Sequence, residues 1–492
     1  MAVQTDPRGG SARTTGLEVR SIDYVPLSER HGEVWSQGPL WFMSNAQIAT
    51  LVVGVVSTEL GGNLLWSLIA VIAGSLVGTL FMAFHSAQGP QLGLPQMIQS
   101  RPQFGYVGAL LVWAFAYLQY AGFNIFNTIL AGQGLHATVH GPTRLWIVVA
   151  SVVAVLVALV GYDLIHRTER YLAFGFLLFF GILTVVVLTL HYPAGSFDLG
   201  AFKVTPFLAQ FGVVAGYQIS WAIYVSDYSR YLPPDVTVRK TFYWTYGGSA
   251  LGAIWIMCLG AALATWWGES HDAFDTIESL HHSGNHFFGG YGLLVVLFST
   301  LGLIAVTALN MYGGSLTLIS ATDSLKPVRP TLRIRVVMVL FTAALSLVPA
   351  LALLNSNKFQ DYFNFFLLLV LYLFIPWTAV NLVDYYVVRR GHYAVAEIFN
   401  PNGIYGRWGW RGIGAYLAGF VAMTPFFSTT HYTGWVAHQL DGADISLFVG
   451  LPVAGILYWV LSRSIDVDSE RRVAEAEAVQ LEEGALHHET RG

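Results

Sequence analysis

Long apolar runs, each about the length of a membrane crossing, recur from residue 38 to residue 464. Read between charged or Pro/Gly-rich breaks, they divide into twelve segments: 38–60, 64–87, 105–135, 145–165, 171–192, 205–231, 242–267, 291–320, 333–353, 361–388, 412–432 and 445–464. A helix needs about 20 apolar residues to cross the hydrocarbon core. Several runs exceed that comfortably, which predicts tilt or a local break. The alternation of a β-barrel is missing. The pattern predicts an all-α integral membrane protein of 12 transmembrane helices. A polar tail, 1–35, precedes the helical domain, 36–465, and a charged Ala- and Glu-rich tail with room for one helix, 466–492, follows it.

Charge orients the segments. With the N-terminus placed in the cytoplasm, 22 of the 25 Lys and Arg fall in the tails and inner loops. Only Arg144, Lys203 and Lys358 fall outside. This positive-inside bias predicts an even number of spans, both termini cytoplasmic, in the plasma (inner) membrane. The first 35 residues lack an apolar core, so a cleavable signal peptide is not expected.

Composition agrees. Apolar residues make up 54% and charged residues 11%, against about 25% charged in a soluble domain. The net charge of −4 argues against a nucleic-acid partner. The single cysteine, Cys258, excludes a disulfide framework or thiol-built metal site. An outer loop near 268–290 gathers His271, His281, His282 and His286 with Glu269, Asp272, Asp275 and Glu278. Without helix-spaced ligand pairs it reads as a solvated loop. No cofactor or metal is expected.

Ionisable groups inside a span are costly and mark function. Here they sit at span ends. Glu59 closes the first on the outer side, and Asp163 and Asp384 lie at the inner face. Asp227 and Arg230, three apart at the inner end of the sixth, share a helix face and read as a structural or gating pair. The interior instead holds amides, hydroxyls and rings: Trp41, Ser44, Asn45 and Gln47; Phe123, Asn124, Asn127 and Gln133; Tyr217, Gln218, Ser220 and Trp221; Thr307, Asn310 and Tyr312. Helix–helix hydrogen bonding accounts for some of these. Together they suit a small, planar, uncharged heterocycle, with rings to stack on it and amides to read its edge. Phe123 and Asn127, four apart, project from one face. Gly54 in the first segment and Gly212 and Gly216 in the sixth mark candidate interruptions, the sequence sign of a transporter site.

The run Ser220-Trp221-Ala222-Ile223-Tyr224-Val225-Ser226-Asp227-Tyr228-Ser229-Arg230-Tyr231-Leu232-Pro233 resembles the sixth-segment signature of the nucleobase–cation symporter family. The likeness is strongest to its purine-cytosine permease branch, which also takes in allantoin–hydantoin carriers. Arg101-Pro102-Gln103-Phe104-Gly105, Gly122-Phe123-Asn124-Ile125-Phe126-Asn127 and Asn310-Met311-Tyr312 fit as well. The resemblance implies an inverted 5+5 helix repeat with broken helices 1 and 6 plus two extra helices. It places substrate among segments 1, 3, 6 and 8. It assigns binding to Phe123 and Asn127, to Gln218 or Trp221, to Asn310, and to a first-segment contact near Met43, Ser44 or Asn45, where Asn45 has the best side chain.

One departure concerns the coupling ion. Where sodium-coupled relatives place neighbouring hydroxyls on the eighth segment, this chain has Ile304 and Ala305, with Ser299, Thr300 and Thr307 the nearest hydroxyls. That leans toward protons, while the lack of a membrane carboxylate leans away. The ion, H+ or Na+, stays open. The expected function is secondary active transport by alternating access. A monomer embedded in lipid would import a nucleobase or related heterocycle such as cytosine, purine, uracil, allantoin or hydantoin with a co-transported cation. A membrane enzyme would need a nucleophile–base set or metal cluster, and no such motif occurs. A channel would need a ringed pore.

Overall fold

The computed structural model describes residues 22–160, 162–271, 274–326, 331–354 and 358–477, without the side chains of 162–170. The N-terminal tail before residue 22, the tail beyond 477, and Asp163 therefore lie outside what is described. The described residues are helical almost throughout, with one isolated bridge, Ser428 to Thr433. Seven helices are long and apolar enough to cross a membrane by themselves, and Ser446–Ser462 with Val467–Glu477 makes an eighth candidate bent by 84°.

In chain order the main helices are α1 (Gln37–Asn45), α2 (Ile48–Val53), α3 (Leu64–Ser86), α4 (Gln88–Leu92), α5 (Leu110–Val139), α6 (Thr143–Val160), α7 (Tyr162–Leu188), α8 (Val204–Ser220), α9 (Val225–Ser229) and α10 (Val238–Trp267). There follow α11 (Thr276–Gly284), α12 (Tyr291–Leu325), α13 (Leu332–Leu353), α14 (Phe359–Val383), α15 (Trp410–Met423), α16 (Ser446–Ser462) and α17 (Val467–Glu477).

The first segment is interrupted twice, once ahead of the glycine and once at it. The helix stops at Asn45, and Gln47 takes an extended backbone (φ −154°, ψ 163°) while its side chain accepts from the Ala49 N–H and caps α2. A side-chain oxygen on an orphan helix N–H is ordinary capping. The helix breaks again at Gly54, the C-cap of α2, before a short turn of helix at Val56–Glu59; Gly54 also serves close packing, since a Cβ there would lie 2.0 Å from the Met257 carbonyl oxygen. The sixth segment runs unbroken through Gly212 and Gly216, tightens to a 3-10 turn at Trp221–Ile223, and resumes as α9.

Three other expectations shift. Helix extends through the charged stretch after residue 162, so the charges expected in an inner loop lie on the first turns of α7. The eighth segment is one 35-residue helix that runs past its expected end at residue 320 to Leu325. The eleventh ends early, at Met423, with a 3-10 turn at Thr424–Phe426.

Glycine seams weld part of the bundle. A Cβ on Gly252 would come within 2.5 Å of the Phe42 carbonyl oxygen, and one on Gly260 within 2.0 Å of that of Leu51, so α10 lies backbone against backbone along α1 and α2. Gly74 and Gly78 bring α3 equally close to the Phe211 and Ala215 carbonyls of α8. Small residues permit such approach where lipid supplies no hydrophobic drive.

Around 268–290, His271 stacks on Trp267 at 3.8 Å, and His286 lies 5.8 Å from Trp266. Among the described residues no group of three or more His, Cys, Asp or Glu could hold a metal ion. The segment after residue 466 forms α17, and the Glu470 carboxylate on it accepts from Arg389 Nε at 2.7 Å. Arg389 also pairs with Asp384, whose carboxylate accepts from Tyr393 and Tyr458, each at 2.8 Å, and from Gln103 Nε2 at 2.6 Å.

Candidate functional site

The two interruptions face each other. At the sixth-segment turn the Ser220 carbonyl accepts from Gln119 Nε2 of α5 at 2.8 Å, and the Ile223 carbonyl accepts from the Tyr120 hydroxyl at 3.4 Å. Backbone freed from helix is tolerated at membrane depth only when it finds such partners. Holding the turn in place aims Tyr217, Ser220, Trp221 and Tyr224 toward α5 and α12. On the opposite side, Gln47 at the first interruption donates from Nε2 to the Tyr217 hydroxyl at 3.1 Å, and Thr50 shares that hydroxyl at 2.6 Å.

These side chains converge on a small cavity of ≈ 10 Å³, room for about one water molecule in this conformation. Its walls are Gln47; Phe123 and Asn127 of α5; Tyr217, Ser220, Trp221 and Tyr224; and Val306 and Asn310 of α12. All are buried, Phe123 most exposed at 6%. The chamber is closed, and no lining side chain carries a charge.

Rings and one bare amide define its chemistry. Phe123 meets Tyr217 edge-on at 5.8 Å and Phe366 at 5.1 Å. Trp221 sits 5.9 Å from Trp41 and 5.0 Å from Tyr224. Tyr224 donates to Asn310 Oδ1 at 2.7 Å. Asn127 is 1% exposed, and neither its Nδ2 nor its Oδ1 has a hydrogen-bond partner; Trp221 Nε1 is likewise unpartnered. A buried polar group without a partner costs about 1–3 kcal/mol. A donor and acceptor left open on one side chain are what a ring edge bearing both could satisfy.

Of the residues singled out in the sequence, Phe123, Asn127, Trp221 and Asn310 come together at this chamber. Asn45 and Gln218 do not line it. They form a closed ring beside it: Asn45 Nδ2 donates to Ser249 Oγ at 3.0 Å, Ser249 Oγ to Gln218 Oε1 at 2.8 Å, and Gln218 Nε2 to Asn45 Oδ1 at 3.0 Å. Thr79 of α3 joins through Gln218 Oε1 at 3.2 Å. Asp227 and Arg230 lie at the end of α9, away from the cavity. Asp227 Oδ1 accepts the Gln96 N–H at 2.8 Å, and Arg230 Nη2 donates to the Tyr231 hydroxyl at 3.2 Å. Gln47, Tyr217 and Ser220 were named from sequence among the interior polar groups but not assigned to binding, and Tyr224 and Val306 were not singled out. The 217, 220/221, 224 spacing places the sixth-segment members on one helical face and could have found them.

On α12, Ala305 is 4% exposed, and a Cβ on Gly302 would sit 3.9 Å from the Ala46 carbonyl oxygen at the first interruption. Thr300 and Thr307 spend their hydroxyls on the Val296 and Leu303 carbonyls of their own helix.

Apolar helices interrupted around a closed, uncharged chamber are the build of a secondary transporter. The chain belongs to the family described as permease for cytosine/purines, uracil, thiamine, allantoin, whose model matches residues 24–450. It is 38% identical to the putative purine-cytosine permease YxlA of Bacillus subtilis over 450 residues, 91% of this chain and 96% of that one. It is 24% identical to the purine-cytosine permease fcyB of Emericella nidulans, over 92% of this chain and 89% of that one. Its fold superposes with a TM-score of 0.70 and 17% identity on Mhp1, a nucleobase-cation-symport-1 family transporter in a closed conformation with bromovinylhydantoin bound, covering 93% of this chain and all of that one. The chain is thus a membrane permease and not an enzyme.

Proposed function

We propose that this permease imports a nucleobase, of the purine or cytosine type, by cation-coupled alternating access, and that the chamber at Phe123, Asn127, Trp221 and Asn310 is its binding site. The observation that carries the reading is Asn127: a fully buried amide, both ends open, between rings able to sandwich a flat ligand. The names of the relatives support the substrate type, and the bound heterocycle of Mhp1 supports the ligand class.

In this reading the interrupted first and sixth segments and the shorter helices also span, giving twelve helices in an inverted 5+5 arrangement plus two. Both termini are cytoplasmic, and the working unit is a monomer. Asn45 and Gln218 brace the interruptions and do not touch substrate. Uptake of radiolabelled cytosine, adenine, hypoxanthine, uracil, allantoin and hydantoin by transport-deficient cells tests it. Saturable uptake of at least one base, lost in Asn127→Ala, is expected. Absence of saturable uptake across the panel rejects the reading.

A further inference from the structure

One of the titratable groups buried within the bundle is an imidazole. His85, near the end of α3, is fully buried. Its ring stacks on Trp377 of α14 at 4.7 Å with the planes 3° apart. Nε2 lies 2.7 Å from Thr378 Oγ1, and Nδ1 lies 3.1 Å from Gln96 Nε2. Since an amide nitrogen can only donate, Nδ1 accepts here, and the ring is neutral with its proton on Nε2.

The amides continue in one sense. Gln96 Nε2 donates also to Gln88 Oε1 at 3.2 Å, and Gln88 Nε2 donates to Asn381 Oδ1 at 2.8 Å. The one atom this arrangement wastes is Gln96 Oε1, buried and without a partner. A proton on Nδ1 would need exactly such an acceptor. Turning the Gln96 amide supplies it, and the same turn obliges Gln88 and then Asn381 to exchange their donor and acceptor ends. Protonation at His85 therefore reverses a hydrogen-bond chain that ties α3 and α4 to α14.

The charge would be compensated locally. The Gln96 N–H is held by Asp227 Oδ1 at 2.8 Å, which places a carboxylate one residue from the imidazole. The Trp377 face favours a cation stacked on it. Other charged or titratable groups on the packed elements include Tyr217 of α8, Tyr228 of α9 with Arg230 beside it, Tyr372 of α14 with Asp384 and Tyr386 just past it, the Tyr386 hydroxyl on the Phe84 carbonyl at 2.7 Å, and Cys258, Tyr243, Tyr246 and the exposed Arg239 and Lys240 of α10.

We propose that the coupling cation is a proton bound at Nδ1 of His85, neutral in this closed conformation and protonated when α14 parts from α3 and α4. The step adds one proton from water and breaks no covalent bond. This rests on the transport reading above, and names its ion and the residue that carries it.

The test uses the full chain in proteoliposomes, with the base that the wild type transports best. A one-unit inward pH gradient should accumulate that base up to about tenfold for one proton per base, and an uncoupler should abolish it. His85→Gln should keep base affinity and counterflow exchange but lose accumulation. Gln96→Glu, which sets a carboxylate against Nδ1, should move the pH of half-maximal uptake up by a unit or more. It serves as the second variant if His85→Gln does not fold. Gradient-driven accumulation by His85→Gln equal to wild type, or an unshifted profile in Gln96→Glu, overturns the assignment alone. Accumulation driven by sodium and indifferent to the uncoupler overturns it in favour of sodium. Failure of the wild type to move any base overturns the transport reading as well.

Discussion

Gln218 Nε2 donates to Asn45 Oδ1 across 3.0 Å, joining two interrupted helical segments 173 positions apart in the chain. With Ser249 and Thr79 it anchors both interruptions to α10 and α3. Because these amides satisfy one another, none is left to read a ligand.

Asn45→Ala should therefore act on stability more than on binding. It strips Gln218 Nε2 of its acceptor and removes the donor to Ser249, at about 1–3 kcal/mol for each buried group left open. The check is the melting temperature in detergent beside base affinity. A large loss of affinity without a fall in melting temperature would place Asn45 in the site.

Asn127→Ala should do the reverse. The side chain has no internal partner to lose, so the melting temperature should hold or rise. Base affinity should drop by about 10- to 100-fold, the equivalent of about 1.4–2.8 kcal/mol. Equilibrium binding of the transported base to purified protein measures it.

Phe123→Leu keeps an apolar side chain of similar bulk, a swap that typically costs under about 1.5 kcal/mol of stability. It removes the ring, and base–aromatic stacking is worth about 1–3 kcal/mol. Affinity should fall at least several-fold, and Phe123→Trp should recover most of it.

The Asp384–Arg389–Glu470 group separates two kinds of loss. Glu470→Gln leaves Arg389 paired with Asp384 and should cost about 1 kcal/mol. Arg389→Ala strands Asp384, which is fully buried, and should cost about 3–5 kcal/mol. Thermal unfolding in the same detergent ranks them, and equal shifts would mean α17 is not held through this arginine.

Asp444, in the loop before α16, accepts from Tyr372, from the Ser428 N–H at 3.0 Å and from the Ser446 N–H at 2.8 Å. Burial nevertheless raises its carboxyl pKa. A carboxyl raised in the folded state favours folding below its unfolded value and withdraws that support as pH climbs through the folded one. The wild type should lose some stability as pH climbs above the ordinary carboxylate range on this account. Asp444→Asn should flatten that part of the melting-temperature profile; an unchanged slope would assign it to other groups.

Much of this was legible in the chain. Apolar run length gave the helical bundle, and the four-residue spacing of Phe123 and Asn127 put both on the chamber. Trp221 and Asn310 arrived there as well. The first segment was harder because the position of a break decides which way every later side chain points, and each residue turns a helix by about 100°. With the break at Ala46–Gln47, Gln47 faces the chamber and Asn45 turns to α10. Gly54 marked a real break between Val53 and Val56, but the one that shapes the chamber lies earlier, where no glycine flags it. His85 escaped notice because its partners, Gln96, Thr378 and Trp377, come from distant parts of the sequence.

The glycine seams carry a mechanical consequence. Where a carbonyl of α1 or α2 rests in the notch left by a missing Cβ on α10, neither helix can slide without collision, and α3 grips α8 the same way. In the proposed cycle each set so locked, α1 and α2 with α10 and α3 with α8, would travel together. Facing α5 and α12, α8 and the turn after it present ring edges and hydroxyls, Tyr217 to Phe123 and Tyr224 to Asn310, with the Ser220 and Ile223 carbonyls held by Gln119 and Tyr120, contacts that can slip and re-form. The line of least resistance through the molecule thus runs straight through the chamber, so whatever is gripped there touches both moving halves at once.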